Sequence, residues 1–165
     1  MIPKIITIDD YYTKQQAKEL FSVVSTLNFT IFEFGKQVED FNLVSDDASE
    51  VFSNVFKKNL TVDLDRSGTF VFPEPFIHFE QFDSLNKWMF VVAIEQSTFN
   101  TFHHQSGATS ALEEYKFHYR DFFQWDLKTN IVLDPGQGVL FRPWLFHSFD
   151  SGIIQKFMLT EESKD

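Results

Sequence analysis

The sequence predicts a mainly β protein, a double-stranded β-helix (jelly roll, cupin-like) with two N-terminal supporting α-helices. Three observations predict it. Two amphipathic stretches with helix-start signals sit in the first third, short strand-like runs fill the chain from Thr61 onward, and turn residues separate those runs. At 165 residues, with no linker or repeat, the expectation is one domain over 1–165, with helical support at 9–58 and a barrel core at about 61–160.

Residues 2–8 alternate weakly and read as a short opening strand. Thr13 and Gln16 form a capping-box pair, in which a hydroxyl and an amide satisfy each other's backbone N–H. Behind it Ala17, Leu20, Phe21, Val24 and Leu27 recur at helical spacing, which predicts the first helix. Asn28–Phe34 is rich in β-branched and aromatic residues and reads as a strand. Asp47 with Glu50 marks a second helix, with Ala48, Val51, Phe52, Val55 and Phe56 as its buried stripe. Strands are then expected at 61–65, 69–72, 76–81, 88–95, 98–104, 129–133, 137–142, 146–149 and 153–159. Asp65-Arg-Ser-Gly68, Asp134-Pro-Gly136 and Asp150-Ser-Gly152 supply turn chemistry between them. The aromatic-rich segment 105–128 fits neither period, as an insertion over the barrel mouth would.

Bulk properties narrow the function. The 22 phenylalanines imply an aromatic core, and a net charge of −10 without clustered Lys or Arg argues against a nucleic-acid partner. The absence of cysteine removes disulfide and thiolate chemistry. The longest apolar run, Trp88–Ile94, is far short of the ~20 residues a bilayer crossing needs. The N-terminus has no signal-peptide h-region, so a soluble cytoplasmic protein without a membrane partner is expected. No glycine-rich phosphate loop, nucleophile elbow or His-Glu-x-x-His helix is present.

Two segments carry the chemistry. Residues two apart on a strand point the same way, so His78 and Glu80 share one face with Phe76 and Phe82. An imidazole and a carboxylate on such a face need a partner, and a divalent metal satisfies both. His147 closes a strand that can lie opposite and is the natural third ligand. Lys156 lies between Ile154 and Met158 on one face of the last strand, with Ile153, Gln155, Phe157 and Leu159 on the other. On a central strand its ammonium requires an anion, such as a small dicarboxylate. On an edge strand it would reach water. His103 or His104 could replace His78 as first ligand, with Glu113 and Glu114 as the nearest carboxylates. His118 is better suited to a structural or substrate contact.

His78-Phe-Glu80, Trp88–Ile94, the run from Pro135-Gly-Gln-Gly to His147, and Lys156 together resemble the iron(II)/2-oxoglutarate-dependent oxygenases. The layout is similar to the prolyl-4-hydroxylase-like branch, and the resemblance covers roughly residues 69–160. It implies Fe(II) held by His78, Glu80 and His147, with Lys156 binding the distal carboxylate of 2-oxoglutarate. It further implies hydroxylation of a substrate C–H bond coupled to decarboxylation of the cosubstrate. The chain departs from the family where Glu80 replaces the commoner Asp and Met158 replaces a common hydroxyl residue. Its size, acidity and phenylalanine bias are also similar to those of oxygenase-like proteins of marine phages. The substrate class, a small molecule or a protein, stays open. So do an inert jelly-roll binding or structural protein with a vestigial metal site, and a cupin-like metalloprotein that does not use 2-oxoglutarate.

Overall fold

The structure is a computed structural model that describes residues 5–32, 35–38, 48–71, 86–105, 125–150 and 152–162. The expected strand 76–81, the cap at Asp47 and most of the segment 105–128 lie outside the described residues. Among the described residues ten strands and two helices follow in order: β1 (Ile6–Ile8), α1 (Lys14–Val24), β2 (Phe29–Phe32), β3 (Gly35–Val38), α2 (Ala48–Phe56), β4 (Leu60–Val71), β5 (Lys87–Ala93), β6 (Ser97–His104), β7 (Trp125–Leu133), β8 (Gly138–Phe141), β9 (His147–Asp150) and β10 (Ile153–Glu161).

The strands form a seven-stranded sheet, ordered β1-β8-β5-β10-β4-β3-β2, and a three-stranded sheet, ordered β7-β6-β9. All described pairings are antiparallel. From β5 to β6, and again from β7 through β10, the chain changes sheet at each of these connections. That is the jelly-roll fold. One core joins the sheets: Met89, Val91 and Ala93 of β5 and Val139 and Phe141 of β8 pack with Phe99, Leu133 and Phe149 of the smaller sheet. Ile154 and Met158 of β10 belong to the same core.

A second core lies on the outer face of the larger sheet. There Phe52 and Phe56 of α2 meet Phe90, Leu140, Phe157 and Leu159. The rings interlock, with Phe52 5.0 Å from Phe157, 5.5 Å from Phe90 and stacked on Tyr11 at 5.6 Å. The phenylalanine excess is thus spent on sealing the outer face as well as on the interior. In α1, Thr13 and Gln16 make both bonds of the capping box, and Ala17 and Val24 are buried.

Gly136 fastens the N-terminal segment at a φ of 96°. Its carbonyl accepts from the backbone N–H groups of Tyr11 and Tyr12. A side chain there would put a Cβ 2.2 Å from the Tyr12 carbonyl oxygen, so only glycine fits.

Three expectations need correction. The expected strands 61–65 and 69–72 are one strand, because the turn-like Asp65-Arg-Ser-Gly68 is absorbed as a bulge opposite Lys156–Met158. The Ser67 hydroxyl bridges that bulge, accepting from the Met158 N–H and donating to the Asp63 carbonyl. In α2, Val51 and Val55 stand on the exposed flank, each 39% accessible, and only Phe52 and Phe56 of the stripe are seen to be buried. β3, with Lys36 and Gln37 in place of apolar alternation, was not expected at all. No helix among the described residues is long and apolar enough to cross a membrane.

Candidate functional site

β9 and β10 are successive strands, yet they leave their connection into facing sheets. Gly152 makes this possible at a φ of 81°, where an added Cβ would sit 2.6 Å from the Gln96 carbonyl oxygen. His147 and Lys156 each stand three residues from the ends of that connection, Asp150 and Ile153. Strand alternation places both on the faces that carry the core between the sheets, His147 with Phe149 and Lys156 with Ile154 and Met158.

His147 is 1% exposed. Its ring packs among Phe141 at 4.8 Å, Phe149 at 5.8 Å and Phe99 at 6.4 Å. Its Nδ1 is 2.6 Å from the Leu145 carbonyl oxygen. A carbonyl can only accept, so Nδ1 carries a proton. A fixed Nδ1–H with a basic Nε2 is the tautomer a metal-binding imidazole requires. Thr101 is the cross-strand partner of His147 and, two residues from the interior Phe99, faces the same chamber.

Lys156 sits on a central strand, between β5 and β4, so the edge-strand alternative is overturned. Its neighbours on the same face, Ile154 and Met158, belong to the core between the sheets, whereas Phe157 and Leu159 belong to the outer core. The inward face therefore carries the cation, as the alternation predicted. Its ammonium lies 5.6 Å from the centre of the Phe70 ring.

The remaining candidates are placed as follows. His78, Glu80, Glu113, Glu114 and His118 lie outside the described residues. His103 turns to Asp126, Nε2 to Oδ2 3.7 Å, with the two side chains 39% and 59% exposed. That is a surface pair rather than part of the chamber. His104 belongs to β6, but its side chain is not among those described. Among the described residues, no three His, Cys, Asp or Glu side chains converge. His147 is thus the described member of the expected ligand set. Thr101 and Gln37 were not singled out from the sequence, because their facing depends on pairing register rather than on residue type.

No protein-family model and no curated protein matches the sequence. Solved structures do match in fold. HygX from Streptomyces hygroscopicus with nickel, 2-oxoglutarate and hygromycin B bound superposes with a TM-score of 0.61 at 10% identity, covering 96% of this chain and 83% of that one. HygX with nickel and 2-oxoglutarate bound gives 0.57 at 9% identity with the same coverage. At such identity the likeness concerns the fold alone, so this chain shares its jelly roll with a protein that binds a metal ion and 2-oxoglutarate.

Proposed function

We propose that this chain is a non-haem Fe(II)/2-oxoglutarate-dependent oxygenase with the prolyl-4-hydroxylase-like layout, acting on a small-molecule or protein substrate in the cytoplasm. The observation that carries the reading is that His147 and Lys156 stand on the two facing sheets, each on the face that carries the core between them. His147 fits a metal through its Nδ1–H bond to Leu145, which aims and polarises the ring. His78 and Glu80 would complete the ligand set.

Bound by these residues, the metal would supply dioxygen activation coupled to oxidation of the oxoacid. The protein's own groups do the rest. Lys156 attracts and orients the far carboxylate, Phe99, Phe141 and Phe149 exclude water, and Leu145 keeps His147 in one tautomer.

Anaerobic addition of Fe(II) and 2-oxoglutarate is expected to produce a weak metal-to-ligand absorption band, with succinate formed once air is admitted. The band should vanish in His147→Ala, His78→Ala and Glu80→Ala, and weaken in Lys156→Ala. Metal uptake indifferent to 2-oxoglutarate would defeat the proposal, and so would a band unaffected by His147→Ala.

A further inference from the structure

Lys156 stands opposite a position that carries no side chain. Its cross-strand partner on β4 is Gly68, and Gln37 of β3 pairs with Phe70 on the same strand. Partners across antiparallel strands face the same way, so Gln37, Phe70 and Ile154 share the inward face, and Gly68 shares it with Lys156. A Cβ built on Gly68 would lie 2.8 Å from the Gln37 Nε2 and 3.4 Å from the Phe70 Cε2. The Gln37 carboxamide therefore occupies the space a side chain at position 68 would take. That space is about 5 Å from the Lys156 Cβ, the ordinary spacing of a cross-strand pair.

We propose that Gln37, Gly68 and Lys156 form a carboxylate notch, in which the Gln37 amide is the specificity-determining donor for the far end of a short dicarboxylate. The proposal rests on the oxoacid reading above and deepens it. An amide suits the place because it donates a hydrogen bond without bringing an anion of its own. A carboxylate at position 37 would pair with Lys156 and compete with the ligand. Ile154 and Met158 supply apolar wall for the ligand's methylenes, and Phe70 a ring beneath the ammonium. Lys156 contributes charge, and Gln37 contributes direction.

The test uses the full chain loaded with Ni(II), titrated calorimetrically with 2-oxoglutarate and with 2-oxobutyrate, which lacks the distal carboxylate. Gln37→Leu is expected to weaken 2-oxoglutarate about tenfold, the scale of one hydrogen bond to a charged group, and to leave 2-oxobutyrate unchanged. Gly68→Ala should do the same by displacing the amide. Gln37→Glu should weaken 2-oxoglutarate further than either, and unchanged metal-free melting temperatures will show that each variant folds. If Lys156→Ala weakens 2-oxoglutarate while Gln37→Leu does not, or if Gln37→Leu weakens both oxoacids equally, the notch is overturned and the oxoacid reading stands. If the wild type fails to prefer 2-oxoglutarate over 2-oxobutyrate, the oxoacid reading and the notch fall together.

Discussion

The two faces of β10 are made from one strand and put to opposite uses. Outward, Phe157 and Leu159 lock into the aromatic stack of Tyr11, Phe52, Phe56 and Phe90, and the one amide, Gln155, accepts from the Tyr12 hydroxyl at 2.6 Å. Inward, Ile154 and Met158 flank Lys156 and look across to His147. The outer face also buries two polar atoms without a hydrogen-bond partner among the described residues, Gln155 Nε2 and Thr69 Oγ1. The cation faces the core between the sheets, whereas Gln155, Phe157 and Leu159 on the opposite face are neutral. Both faces are packed with apolar side chains, and Lys156 is set into the inner one.

The widest separation of the two faces is expected from Phe90→Ala. It removes a fully buried ring that touches Phe52, Phe56 and Phe157, and should cost about 3–5 kcal/mol in denaturant unfolding. The protein that remains folded should bind 2-oxoglutarate normally. The reverse pattern is expected from Lys156→Met: affinity for 2-oxoglutarate falls by roughly a hundredfold, while stability falls by much less than in Phe90→Ala. A drop in stability as large as that of Phe90→Ala would mean that Lys156 is structural too.

Thr69→Val sharpens the contrast on a smaller scale. It deletes a buried hydroxyl that has no partner, keeps the shape, and should stabilise the fold by about 1 kcal/mol. A loss of stability would reveal an ordered water bridging Thr69 to Gln155. The smallest effect is confined to alkaline solution. Burial raises the Tyr11 phenol from 10.0 to about 12, and raises Tyr12 further. Below pH 10 both states keep the proton and stability is unaffected. Between pH 10 and about 12 the unfolded chain loses it first, so stability should fall as pH rises. Tyr11→Phe should flatten that slope, whatever its effect at neutral pH.

Much of this architecture could be read from residues, and the failures have causes. Thr13 and Gln16 announced α1 because a capping box is a local exchange of hydrogen bonds, complete within one turn. β5, β8 and β10 were legible as apolar runs between turn residues, and the alternation along β10 sorted Lys156 from Gln155 correctly. β4 misled because Asp65-Arg-Ser-Gly68 has the composition of a turn, and only the neighbouring strand decides whether such residues turn the chain or bulge it. β7 reaches back to Trp125, but its exposed Leu127 and Lys128 hide the period. In the site, His147 was conspicuous by type and place, whereas its tautomer depends on the Leu145 carbonyl, which no side-chain pattern encodes. Gln37 was invisible for a related reason: the role proposed for it depends on the bareness of Gly68 on the adjacent strand.

The middle place in the seven-stranded sheet belongs to β10, the strand that comes last in chain order, with β5 and β4 on its two sides. A nascent polypeptide still missing that segment would hold two half-sheets with nothing to zip them together. Assembly must therefore wait until translation has passed Glu161, and a ribosome-stalled fragment ending before Ile153 is a natural client for chaperones.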